Sequence, residues 1–343
     1  MKVVKWGIVG YGEQLTKRML PAFKKIPEIE ISAVCCSKEE RAEQAEKELG
    51  VRGYSKFSEF LSNSEIEVVY IATPHHLHVP QTFKAVDAGK NVLVEKPIAL
   101  SVDGAHKLIE AVKRKGLKLG VNFPLRHHPA LQELKEKIKT NELGEPTQVY
   151  IYLSRKKIPE QNWWRDQFHA GPMCLMDLGI QGIDLVIWLL GRKAQELSVL
   201  GLGGKDDESL NRAVIVSVNF EGDNQGIVNS SNLGIGGHNL VIVQRADEQI
   251  LVEMNWPEGD GIFKIRTKTE GKVEEKKFDA LDLYQLSLWN FNQAVKGGQE
   301  YSPDLDQTYL GVEVCCCAIE SLKSGKVVKV GEVLRVTGSR FKE

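Results

Sequence analysis

A chain of 343 residues is longer than one hydrophobic core usually supports, so two domains are expected. Its 45 Lys and Arg against 46 Asp and Glu leave a net charge of -1 with no block of one sign, which argues against nucleic acid as the main partner. The most apolar stretches, such as Leu185 to Leu190, fall far short of the roughly 20 residues that cross a bilayer.

The first apolar run, Val3 to Val9, is too short for a secretory leader and leads straight into glycines, so it reads as a first strand. Further runs at Ile29-Cys36, Val68-Ala72, Asn91-Glu95 and Lys118-Val121 alternate with amphipathic segments, the pattern of parallel strands joined by helices. Ser37 with Glu40 has the spacing of a capping box for a helix over Lys38 to Leu49, closed by Gly50. Ser101 is placed to cap a helix that ends near Lys115, before Gly116. The texture changes after Val121, which sets the expected boundaries at 1–121 for an N-terminal nucleotide-binding domain and 122–343 for an α+β domain. Helical periodicity covers Pro129 to Thr140 and Met176 to Leu190. Runs of Val, Ile and Thr between Gln195 and Phe278, punctuated by clusters such as Glu221-Gly222-Asp223-Asn224, predict an antiparallel sheet. Helices over Leu283 to Lys296 and Asp306 to Lys323 then precede a short strand near Val327.

The six cysteines, Cys35-Cys36, Cys174 and Cys315-Cys316-Cys317, have neither zinc-ligand spacing nor a plausible disulfide framework. A reducing cytoplasm is the expected compartment, with Cys315 to Cys317 as small buried helix residues.

Gly10-Tyr11-Gly12-Glu13-Gln14-Leu15 follows the first strand. In a dinucleotide-binding turn the first glycine makes the bend and the second lets the backbone approach the pyrophosphate, with Glu13 beside it. The third small position is Leu15, so the motif is incomplete. Where an NAD-selective domain ends its second strand in Asp or Glu, this chain reads Cys35-Cys36-Ser37-Lys38. Without a carboxylate a 2'-phosphate is not repelled, and Ser37 and Lys38 can contact it, so NADP(H) is favoured and NAD(H) stays open. The bland alternative makes Ser37 a helix cap and Lys38 a solvated first-turn residue.

Two later segments are more specific: Ile71-Ala72-Thr73-Pro74-His75-His76-Leu77-His78, and Ala88-Gly89-Lys90-Asn91-Val92-Leu93-Val94-Glu95-Lys96-Pro97. With Arg126-His127-His128-Pro129, Gly144-Glu145-Pro146, Trp164-Arg165 and Met176 to Asp184, they resemble the glucose-fructose oxidoreductase / inositol dehydrogenase (Gfo/Idh/MocA) family over nearly the whole chain. The resemblance implies a Rossmann doubly wound parallel sheet, followed by an open, mainly antiparallel sheet with flanking helices. It implies cofactor and a carbohydrate-like substrate in the cleft between them, with a homo-dimer or homo-tetramer built through the second sheet. It further implies that Thr73, Pro74 and His78 line the nicotinamide-ribose side, that Glu95 and Lys96 approach the nicotinamide, and that Lys96 and Asp177 are catalytic.

The same resemblance expects a histidine four residues after Asp177, where this chain has Gln181. An amide cannot take the proton that leaves as an alcohol is oxidised. Three readings stand: Lys96 moves the proton itself while Gln181 orients substrate; His169 or a water substitutes; or the chain is a silent, cofactor-dependent sensor. Trp163-Trp164-Arg165 offers aromatic and cationic contacts to a sugar. Arg155-Lys156-Lys157 suits a carboxylate or phosphate, or else is a solvated strand edge. His75, His76 and His78 lack a Cys or carboxylate neighbour that would complete a metal site, so no metal is expected. His127 and His128 read as capping or loop-packing groups beside Pro129, with a contact to the cofactor as the second reading, and Asp184 as a packing residue or one that supports a site residue from behind.

Overall fold

The computed structural model describes residues 2–140, 146–156, 163, 171–202, 212–233, 236, 238–257 and 261–332. The chain divides into two compact units, residues 1–99, 104–124 and 282–306 in the first and 100–103, 125–281 and 307–343 in the second.

The first unit is a parallel sheet of β1 (Val4–Val9), β2 (Ile29–Cys35), β3 (Arg52–Tyr54), β4 (Val68–Ile71), β5 (Asn91–Glu95) and β6 (Leu119–Asn122), ordered β3-β2-β1-β4-β5-β6. That order places neighbouring strands β1 and β4 at the point where the winding reverses, and ligands of doubly wound sheets sit beyond the strand ends there. Strands covered on both faces are near-continuously apolar; β4 and β6 are buried at every position, with Asn122 at the end of β6 the polar exception. A π-helical stretch, Gln14–Met19, runs into α1 (Leu20–Phe23), and α2 (Glu39–Leu49), α3 (Phe57–Ser62), α4 (His78–Asp87) and α5 (Val102–Lys115) complete the connections. The three-residue β3 and the six-residue α3 are too short for a clear periodic signal in the sequence.

The expected Ser37–Glu40 capping box does not form. Helix α2 starts one residue late, with Lys38 in extended geometry at the N-cap and no side-chain cap, so Ser37 lies outside the helix and cannot reach its third amide.

In the second unit a mostly antiparallel sheet contains β7 (Gln148–Ser154), β8 (Ala194–Leu202), β9 (Ala213–Phe220), β10 (Asn224–Ser231), β11 (Asn239–Gln244), β12 (Glu248–Met254), β13 (Phe263–Thr269), β14 (Lys272–Phe278) and β15 (Val328–Lys329). The order is β14-β13-β12-β11-β7-β10-β9-β8-β15, with β7 and β10 parallel. Helix α6 (Pro129–Lys139) is capped by His128, whose Nδ1 accepts from the Ala130 amide at 3.0 Å, while its ring stacks on Phe263 at 3.5 Å. A π-helical turn, Leu175–Gly179, leads into α7 (Ile180–Leu190), every residue of which is buried. Close approach explains two glycines in this layer: a Cβ on Gly182 would stand 2.4 Å from Val228, and one on Gly226 2.2 Å from Val186. The helix carrying Asp177 and Gln181 is therefore pressed directly onto β10.

Residues 282–306, grouped with the C-terminal half in the sequence reading, belong to the first unit. Helix α8 (Leu283–Val295) places Leu288 and Phe291 in the core around Trp6, whose ring meets Phe23 at 5.4 Å and Phe291 at 5.9 Å edge-on. The Trp6 indole donates to Asn292 Oδ1 at 3.2 Å. Helix α9 (Leu305–Ser324) carries Cys315 to Cys317; all six cysteines are free, and burial pushes the Cys316 and Cys317 thiols up to about 12. Among the described residues no helix is long and apolar enough to cross a membrane, and no three His, Cys, Asp or Glu converge as metal ligands.

Candidate functional site

The glycine turn follows β1. Gly10 has φ +96, its amide donates to the Cys35 carbonyl at 2.9 Å, and a Cβ there would stand 2.6 Å from the Ala72 carbonyl oxygen. Only glycine satisfies both constraints. Around Gly12 a Cβ would meet nothing within 4 Å, so protein packing does not demand the second glycine, whereas a ligand approaching the backbone would. Leu15, in the third small position, is fully buried in the core of the first unit. Glu13 is exposed and paired with Lys17. Ser37 and Lys38 are exposed beyond β2, where no carboxylate ends the strand. Arg41, outside every sequence motif, joins them: from the first turn of α2 its Nη2 donates to the Tyr11 carbonyl at 3.2 Å, tying a cation to the glycine turn. Its signal was a basic residue one helical turn after Ser37. Bend, open Gly12 and surrounding hydroxyl and cations fit a phosphate-bearing dinucleotide.

At the ends of β4 and β5, Thr73 donates to Gln81 Oε1 at 2.6 Å, and Pro74 precedes a 3-10 turn over His75–Leu77. His78 is fully buried between two carbonyls, with Nδ1 2.6 Å from Pro97 O and Nε2 2.8 Å from Thr73 O. Burial lowers its pKa to about 4, so near neutrality the ring donates to one of them. It bridges the segment after β4 to the segment after β5. Glu95 is buried, and its Oε1 accepts from Tyr70 at 2.6 Å, Asn122 at 2.6 Å and Gln14 at 3.0 Å. Burial raises its pKa even against these donors. Asn122 is held in turn by Ser287, and Ser287 by Tyr301, so helix α8 supports the far side of the network. Lys96, next in the chain, is half-buried. Gln14, Tyr70 and Asn122 had no signal in the sequence, because strand pairing and winding bring them together.

In the second unit, Asp177 is 3% exposed and lies 2.6 Å from Arg155 Nη1. Gln181 is buried and its amide donates to the Asp177 carbonyl at 3.4 Å, as the four-residue spacing requires. Asp184 is committed elsewhere: its carboxylate takes Arg126 Nε at 2.7 Å and Nη2 at 2.9 Å. Arg126 is fully buried, donates to Gln307 and lies over Trp188 at 5.4 Å, a packing role for this pair. Trp164, Arg165 and His169 lie outside the described residues.

A doubly wound parallel unit with a glycine turn, and a second unit built on an open mixed sheet, define the architecture of an oxidoreductase with an NAD(P)-binding Rossmann fold. Residues 4–123 match the model for the "Oxidoreductase family, NAD-binding Rossmann fold", and residues 131–246 match the "GFO/IDH/MocA C-terminal domain". The chain belongs to the Gfo/Idh/MocA family. It is 27% identical to scyllo-inositol 2-dehydrogenase (NAD(+)) of Bacillus subtilis, covering 87% of this chain and 88% of that one. Among solved structures, the aldose-aldose oxidoreductase of Caulobacter crescentus superposes with a TM-score of 0.85 at 19% identity, over 96% of this chain and 100% of that one. A 3-ketoreductase from Actinomadura kijaniata in complex with NADP and TDP-benzene gives 0.83 at 18% identity, over 94% and 98%.

Proposed function

We propose that the protein moves a hydride between NADP(H), with NAD(H) as the lesser partner, and a carbon–oxygen centre of a sugar, keto-sugar or cyclitol. The observation that carries the cofactor reading is the surround of the glycine turn: Ser37, Lys38 and the tethered Arg41, with no carboxylate ending β2. A bound nicotinamide would supply the hydride-accepting or hydride-donating carbon.

Lys96 is the proton-handling residue in this proposal. Half-buried at the end of β5, it hydrogen-bonds the reacting oxygen: its neutral amine takes the alcohol proton on oxidation, and its ammonium returns that proton on reduction. Glu95 anchors that strand end, and His78 joins it to the Thr73 segment. Gln181 orients substrate hydroxyls and exchanges no proton. Asp177 is already paired with Arg155, which supports an orienting role for it. Exposed Leu200 and Ile215, register partners on β8 and β9, support assembly through the outer face of that sheet. The free thiols agree with a reducing compartment such as the cytoplasm.

Purified protein with NADPH and a panel of keto-sugars is expected to oxidise the cofactor. The Lys96→Met variant should lose roughly 10²- to 10⁴-fold in kcat while still binding NADPH. Tight NADPH binding with no turnover of any substrate would refute the enzymatic reading in favour of a sensor. The Gln181→His variant separates the two: a large gain in rate indicates a scaffold that lost chemistry, and a loss indicates a site built around glutamine.

A further inference from the structure

Beyond the candidate residues already placed, one group of side chains in the second unit is unexplained by packing. Strands β7 and β10 run parallel with Leu153 opposite Ser230 and Ser154 opposite Ser231, and the Arg155 amide donates to the Ser231 carbonyl at 3.0 Å. Arg155 and Asn232 therefore emerge side by side, two residues beyond Leu153 and Ser230. By the two-residue alternation they share the face on which α7 packs. The Arg155–Asp177 ion pair of 2.6 Å confirms that this face is turned toward the Asp177 turn.

Asn232 is 5% exposed, and both its Nδ2 and its Oδ1 are buried without a hydrogen-bond partner. Buried amides are almost always paired, so an asparagine orphaned at both ends is anomalous unless something else completes it. Arg155 is in a similar condition. One nitrogen serves Asp177, while Nε is buried and unpartnered. The Nε edge of a guanidinium is a planar two-donor fork, the shape that takes both oxygens of a carboxylate. An amide with an unpaired donor and an unpaired acceptor matches a hydroxyl, which accepts and donates at once.

We infer that Asn232 and the Nε edge of Arg155 form a substrate subsite for a hydroxyl flanking a carboxylate, so that the sugar is a sugar acid. The assignment rests on the proposed function for its link to hydride transfer, but the binding it requires does not. Asn232 is then a specificity-determining residue, retained at a cost to the ligand-free protein. Arg155 has two tasks, holding Asp177 with Nη1 and reading the acid with its other edge.

The test is calorimetric titration of the full chain, saturated with NADPH, with matched pairs differing only in the acid: D-glucuronate against D-glucose, and D-galacturonate against D-galactose. At least one acid should bind 10-fold or more tightly than its neutral partner. The Asn232→Ala variant should weaken that acid by 10-fold or more while its ligand-free Tm equals or exceeds that of the parent, because an unpaired buried amide has been removed. The Arg155→Lys variant, which keeps the charge and loses the fork, should bring the acid-to-neutral ratio close to one with NADPH affinity unchanged. Equal binding of acid and neutral sugar by the parent overturns the inference. So does tighter binding of D-glucose 6-phosphate than of either acid, or a lower ligand-free Tm for Asn232→Ala with sugar affinity unchanged. Acid binding that depends on Asn232, with no turnover of any sugar, leaves this inference standing and removes hydride transfer. Turnover of neutral sugars without discrimination does the reverse.

Discussion

Replacing Asp184 by alanine is expected to destabilise the second unit severely. The Arg126 guanidinium is fully buried, and two of its hydrogen bonds, at 2.7 and 2.9 Å, end on the Asp184 carboxylate. Each charged hydrogen bond contributes on the order of 1.5–3 kcal/mol, and stranding a buried charge by removing its partner costs about 3–5 kcal/mol. The two magnitudes agree, so about 3–5 kcal/mol is the expected loss, a large part of a domain's total stability of roughly 5–15 kcal/mol. For a unit of this size each kcal/mol moves Tm by roughly 2–4 °C, which puts the drop at about 6–20 °C. Thermal unfolding followed by circular dichroism, with urea titration to verify that the m-value is unchanged, measures it. The double variant Arg126→Met with Asp184→Leu removes both charges from the same space and should recover most of the loss, because the penalty comes from the stranded cation rather than from the missing pair. A drop below about 3 °C for Asp184→Ala would refute the reasoning, as would a double variant as unstable as the two single changes added together.

Three further outcomes follow from the local geometry. Gly12→Ala should leave the ligand-free protein within about 0.5 kcal/mol of the parent, since its Cβ meets open space, yet weaken NADPH binding in a fluorescence titration. Gly10→Ala, with φ +96 and a carbonyl 2.6 Å away, should cost about 1–3 kcal/mol in urea unfolding before any ligand is added. His128 accepts a hydrogen bond at Nδ1 to cap α6, and burial lowers its pKa from 6.5 to about 4. The unfolded chain therefore holds the extra proton between those values, so this residue's stabilising contribution is complete above pH 6.5 and lost at up to about 1.4 kcal/mol per pH unit as pH falls toward 4. His128→Asn keeps a capping acceptor that does not titrate; its Tm should fall less than the parent's between pH 7 and pH 5, and an identical fall in both proteins would contradict this.

Much of the fold is written in local pattern. Apolar runs mark β1, β2, β4, β5 and β6 within a residue or two, because a strand buried on both faces is near-continuously apolar. The order of motifs from the glycine turn through Glu95-Lys96-Pro97 to Asp177 and Gln181 is legible for the same reason that it is specific: each occupies a defined turn or helix face. The helix start at α2 is not, because Ser37 satisfied the spacing of a capping box while the chain leaving β2 stayed extended through Lys38. A one-residue difference of this kind is decided by how the strand end meets the sheet, and the same displacement leaves Ser37 outside the helix.

By itself, then, the sequence determined most of the strands and helices and the family they compose, since these depend on hydrophobic period and on side-chain type at short spacing. Only tertiary structure decided the partners of those residues. It gave Asp177 to Arg155, Asp184 to Arg126 and Glu95 to Tyr70, Asn122 and Gln14, and it returned helix α8 to the core around Trp6. The physical reason is that pairing between charges and amides far apart in the chain is set by strand order, register and burial, none of which leaves a periodic trace in the residues concerned.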